Sequence, residues 1–163
     1  MRTQLNICSK YSRSQRKNGV IGTAGSRNKM LLLEYPKPWG RIPLQTKSLP
    51  PEIKNGLITL QKKYPGLTIH FIASENSPSS PGHHHVMVIE KKQTPKISFK
   101  VGHYQVPRHS LETFLQGDLL GETSHIIGES FRFSQKTGPM FFICTHEARD
   151  FCCGRFGGEL YEK

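Results

Sequence analysis

The chain has 163 residues and a mass of 18.5 kDa, which is room for one ordinary domain, or for one domain and the opening of another. With 35% hydrophobic and 21% charged residues it can pack a core, and its longest apolar runs, Met30 to Leu33 and Met140 to Cys144, are far shorter than the ~20 residues of a membrane-spanning helix. Lys and Arg outnumber Asp and Glu by 23 to 12 for a net charge of +11, but residues 1 to 29 hold Arg2, Lys10, Arg13, Arg16, Lys17, Arg27 and Lys29 with no acid, so most of the excess is a basic arm.

In chain order, residues 8 to 29 read as loop, broken by Gly19, Gly22 and Gly25, and Met30 to Glu34 reads as the first buried strand. Tyr35-Pro36-Lys37-Pro38-Trp39-Gly40 stops it, because two prolines one residue apart cannot continue sheet pairing, and the only Trp reads as a core plug. Pro50 and Pro51 supply a first helical turn, and Ile53, Leu57, Leu60 and Tyr64 recur at helical spacing, which predicts an amphipathic helix ending near Pro65-Gly66. Leu67 to Ala73 alternates as a strand. Ser74 to Gly82 is a Ser- and Pro-rich loop, and His83 to His85 read as exposed imidazoles in it. Strands are expected at Val86 to Glu90 and Ile97 to Val101, and a short helix at His109 to Gln116, stopped by Gly117. Phe131 to Phe133 reads as a short strand, and Met140 to Cys144, after Thr137-Gly138-Pro139, as a buried strand of an α/β sheet.

Four cysteines are present, and three of them, Cys144, Cys152 and Cys153, fall in the last 20 residues beside the end of that strand; the fourth is Cys8. A loop leaving the carboxyl end of a buried strand is where α/β proteins place ligands. Three readings compete. Thiolates bind iron-sulfur clusters or soft metals, with Arg149 and Arg155 lowering thiol pKa and offsetting a cluster's negative charge. Zinc would take Cys144, His146, Cys152 and Cys153, a spacing unlike the usual paired two-residue one. Thiol redox chemistry would use the adjacent Cys152 and Cys153, although linking neighbours closes a strained ring.

Residues Cys144 to Tyr161, C-T-H-E-A-R-D-F-C-C-G-R-F-G-G-E-L-Y, resemble the signature of the sucrase/ferredoxin-like family. Upstream, Cys8-Ser9, Gly22-Thr23-Ala24 and Leu31 to Gly40 are similar to the opening of bacterial members, so the likeness reaches both ends of the chain while the middle matches only in general pattern. Because it begins at Cys8, the basic arm reads as family sequence rather than a transit peptide, and the expected location is the cytoplasm.

The resemblance implies an α/β, thioredoxin-like mixed sheet flanked by helices and a two-iron two-sulfur cluster passing single electrons. It also implies that Cys144 and Cys153, which have eight residues between them as the two ligand cysteines of relatives do, are cluster ligands with Cys152 as the alternate, while His146, Arg149, Asp150 and Gly154 shape the loop. Residues 1–136 then form the N-terminal α/β part and residues 137–163 the start of the ferredoxin part, which is expected to be incomplete because a His-x3-His segment of relatives is absent. An incomplete sheet at Met140 to Cys144 would favour self-association. No carboxylate pair stands in a glycosidase-like setting, so an electron carrier with redox donor and acceptor proteins is expected over a hydrolase. The alternative is a basic binding module for nucleic acid or an acidic partner, with structural or zinc-bound cysteines. Nucleic acid is the less expected of the two, because basic and aromatic residues do not interleave, and no membrane partner is expected.

Overall fold

A computed structural model describes residues 27–73, 81–92 and 98–120, all within one compact unit, Arg27–Lys136. The elements are β1 (Lys29–Glu34), a 3-10 turn (Pro43–Gln45), α1 (Pro51–Lys63), β2 (Leu67–Ile72), β3 (His83–Lys92), β4 (Ser98–Pro107), a second 3-10 turn (Arg108–Ser110) and α2 (Leu111–Gln116). The four strands form one mixed sheet in the order β2-β1-β3-β4. β1 runs parallel to β2, with Leu31 opposite Ile69, and antiparallel to β3, with Leu33 opposite Val86. β3 and β4 form a long antiparallel hairpin from His83↔Pro107 to Lys92↔Ser98. This is the mixed α/β sheet with helices that the sequence predicts.

Each element follows from its residues. Pro51 occupies the first position of α1, where its missing N–H is not needed, and the amide of Lys54 closes the first helical bond on Pro50 O at 2.9 Å. Glu52 in the first turn and Lys62 and Lys63 in the last complement the helix dipole. Ile53, Leu57 and Leu60 form the buried stripe, and the helix ends at a turn in which Gly66 takes φ +83°, a left-handed conformation that glycine adopts without steric cost. β2 alternates strictly, burying Leu67, Ile69 and Phe71 on one face.

The core lies between that face and the two helices. Leu31, Leu33, Ile69, Phe71, Val86, Val88 and Val106 from the sheet meet Ile53, Leu57 and Leu60 of α1 and Leu111, Phe114 and Leu115 of α2. Full burial of a Leu side chain such as Leu57 stabilises by roughly 1.5–3 kcal/mol. Leu32 and Met87 are buried too, and strand alternation puts them on the opposite face. Trp39 is partly buried against the core, as expected for a plug, with its ring edge-on to Phe71.

Two boundaries differ from expectation. β3 starts three residues earlier than Val86 and β4 runs six residues beyond Val101, because each supplies the other with ladder partners. His83 to His85 are therefore not an exposed loop but the first residues of β3, opposite Pro107, Val106 and Gln105, and all three are partly buried. Imidazole is amphipathic, and a paired backbone carries polar side chains into a strand that an apolar pattern would end. The strands expected at Phe131 to Phe133 and Met140 to Cys144 lie outside the described residues.

Candidate functional site

The residues singled out from the sequence, Cys144, Cys152, Cys153, His146, Arg149, Asp150 and Gly154, all lie outside the described residues. The whole unit from Arg27 to Lys136 contains no cysteine. The connection from β1 to α1 therefore offers no thiol. Among the described residues there is no group of three or more His, Cys, Asp or Glu side chains placed to hold a metal ion.

What the structure does bring together, at the end of the sheet where β1 and β2 finish, is Glu34, His84 and His85. Sequence reading missed this group. Leu33↔Val86 is the last β1–β3 pair, and beyond it Glu34 carries on the connection with other bonds. Its carbonyl accepts from His84 Nδ1 at 2.9 Å, its carboxylate accepts from the His85 amide at 3.2 Å, and Oε2 lies 3.9 Å from His85 Nδ1. The His84 ring stacks on Tyr35, with ring planes 13° apart. Burial pushes the His84 imidazole below its ordinary value, the bond to Glu34 opposes that shift, and the Arg108 charge adds to it. The signal that would have found the group is the length of β4, since its residues through Pro107 draw His83 to His85 into the ladder.

Alternation along β3 and β4 puts His85 and His103 on the sheet face opposite the helices, with Leu32 and Met87 between the ladders. The Nε2 atoms of both rings are shielded from water. Burial lowers the His103 pKa and the neighbouring His85 lowers it further. The Glu34 carboxylate beside His85 links the end of β1 to the start of β3.

The connection from β1 to α1 is the other built feature. Tyr35 Oη donates to Ser48 O at 2.6 Å, Trp39 Nε1 to Tyr35 O at 2.9 Å, and the Gly40 amide to Thr46 Oγ1 at 3.0 Å. Thr46, a buried polar residue, is thereby satisfied. Gly40 is required by proximity: a Cβ there would stand 2.7 Å from the Gln45 carbonyl carbon and oxygen. Lys37 lies over the Trp39 ring, 5.8 Å from its centroid, and the Lys37-Pro38 peptide is cis.

The pocket beside Val88, Lys100, Gly102 and Tyr104 holds about 20 Å³, space for a water rather than a substrate. No helix among the described residues is long and apolar enough to cross a membrane. No protein-family profile, no curated protein and no solved structure matches the chain.

Proposed function

We propose that this chain is an electron carrier of the sucrase/ferredoxin-like type, with a two-iron two-sulfur cluster held in part by Cys144 and Cys153. The observation that carries the reading is the run Cys144 to Tyr161, in which two cysteines, Thr145-His146, Arg149-Asp150, Gly154 and Leu160-Tyr161 stand in the order of that family's signature. The donor chemistry suits the group: three thiols, with Arg149 and Arg155 beside them, favour an anionic iron-sulfur centre. Bound there, the cluster supplies one-electron transfer. Cys144 and Cys153 are assigned as ligands, Cys152 as the alternate, and His146, Arg149, Asp150 and Gly154 as residues that shape the loop.

The fold is compatible with a thioredoxin-like assignment. A β1-α1-β2 unit with parallel strands, followed by the antiparallel β3-β4 hairpin and a helix returning to the face already covered by α1, supports it. The absence of cysteine from the β1 to α1 connection argues against a dithiol oxidoreductase using that position. A cytoplasmic location belongs to the same reading, since cysteines that take up iron must be kept reduced.

The test is the visible spectrum and the iron, sulfide and zinc content of anaerobically purified protein. Brown protein with iron and sulfide in equal amounts, bleached in both Cys144→Ser and Cys153→Ser, is the expected result. Absorption unchanged in both variants removes the ligand assignment. Colourless, iron-free protein removes the electron-carrier reading for this chain and leaves the basic binding module.

A further inference from the structure

The connection between Glu34 and Pro51 has sixteen residues, far more than the two to six that usually join strand and helix in a β-α-β unit. Ordering so many residues is entropically costly, and loops of this length in compact domains tend to be functional. This one is closed on itself. Gly40 is bonded to Thr46, Tyr35 to Ser48, and the backbone turns of Gln45 on Ile42, Thr46 on Pro43 and Leu49 on Thr46 run at 2.8, 3.1 and 3.2 Å. Beneath it, Tyr35, Trp39 and Phe71 form an aromatic base, with ring centroids 5.0 Å apart for Tyr35 and Phe71 and 6.4 Å for Trp39 and Phe71.

The composition of its outer side is one-sided. Lys37, Arg41 and Lys47 are exposed, and the loop contains no Asp or Glu. Next to Arg41, Ile42 leaves 51% of its surface in water, one of few large apolar side chains among the described residues to do so. A hydrogen-bonded loop that exposes an aliphatic side chain and three cations, and carries no acid, combines the apolar and charged groups that a protein-docking surface uses.

We propose that this loop docks an acidic protein surface that offers an aliphatic side chain to Ile42 and carboxylates to Lys37, Arg41 and Lys47. Nucleic acid fits less well. The Trp39 indole N–H is spent on Tyr35 O and its ring is packed on Phe71 beneath Lys37, while Tyr35 is buried against Phe71 and His84, so both aromatic rings of the loop are engaged rather than offered for base stacking. Three cations are also few for a phosphate track, and Ile42 would have no counterpart there. The inference does not rest on the cluster, and colourless protein would leave it standing.

The test uses the full chain and labelled peptides of about 15 residues with a net charge of about −4, one set with Leu at the centre and one with Ser, read by fluorescence anisotropy at about 0.15 M salt. Reversing charge in Lys37→Glu/Arg41→Glu/Lys47→Glu is expected to weaken both sets at least about tenfold. Ile42→Ser is expected to weaken only the Leu set, by about fivefold, the worth of a half-buried aliphatic contact. Lys54→Glu/Lys62→Glu, on exposed positions of α1, should leave binding within about twofold. An equal loss from the α1 pair would show diffuse charge and overturn the proposal. So would tighter binding of random duplex DNA that Ile42→Ser does not alter, or no peptide binding at all. Circular dichroism melts accompany each variant, and if the triple variant is unfolded, Arg41→Gln and Ile42→Ser, both at exposed positions, decide the matter.

Discussion

His84 is half-buried, bonded through Nδ1 to the Glu34 carbonyl, and stacked on Tyr35, so its neutral form suits the fold better than its cation. Burial and the Arg108 charge hold its pKa below the ordinary 6.5. The unfolded chain therefore takes up a proton at this position before the folded chain does. Stability is fully present above 6.5 and is lost as pH falls through that value toward the lower folded one. His103, lowered by burial and by His85, acts with the same sign. Thermal melts are expected to show a midpoint that falls on acidification through this window, and His84→Asn, which keeps a donor for Glu34 O, should flatten the fall. An unchanged slope in that variant would place the acid sensitivity elsewhere. Gly40 belongs to the same scale. The Cβ of Gly40→Ala would stand 2.7 Å from Gln45 backbone atoms, which cannot swing aside as a side chain can, so a loss of about 1–3 kcal/mol is expected in denaturant unfolding.

Between elements, α1 packs against α2 through Gly56. Gly56 sits in the middle of α1, where glycine is a poor helix former, yet it is buried, and a Cβ there would meet Leu115 Cβ at 3.2 Å. The missing side chain lets Leu115 and Phe114 of α2 reach the core, where both are almost wholly buried. Gly56→Leu should therefore destabilise by about 1–3 kcal/mol through overpacking, whereas Leu115→Ala should cost about 2–5 kcal/mol by leaving a cavity. Denaturant midpoints of the two variants and of their combination give the coupling, and a fully additive double variant would mean that the two residues do not share this contact.

Such packing was only partly legible beforehand. The stripe Ile53, Leu57, Leu60 and the run Leu31 to Leu33 announce α1 and β1, because helical spacing and a continuous apolar run are local properties. The start of β3 at His83 and the end of β4 at Pro107 were not legible, since each depends on a partner strand and not on its own polarity. The Glu34, His84 and His85 group was hidden for the same reason, as its members are some 50 residues apart and meet only through the β1–β3 register. The three cysteines between Cys144 and Cys153 stand out because thiols in so short a stretch are a local signal, and they fall outside the described residues.

At the scale of the molecule, the proposed cluster raises a question of number. A two-iron two-sulfur cluster takes four protein ligands, and the proposed assignment supplies two of them, Cys144 and Cys153, from each chain. The histidines of β3 are already engaged: His83 Nδ1 with Pro81 O, His84 Nδ1 with Glu34 O, and His85 beside the Glu34 carboxylate. The described residues contribute no triad of metal ligands either. Two chains, each giving two thiolates, would make a full set, so the brown form is expected to be a dimer carrying about one iron per chain. Iron analysis combined with light scattering reads both numbers. His83→Gln/His84→Gln should leave the iron content unchanged, while Cys144→Ser should remove the iron and return the protein to the monomer. About two irons in a monomeric chain would instead mean that one chain supplies every ligand, and Cys152→Ser and His146→Ala would then be the variants to separate a thiolate from an imidazole in the remaining positions.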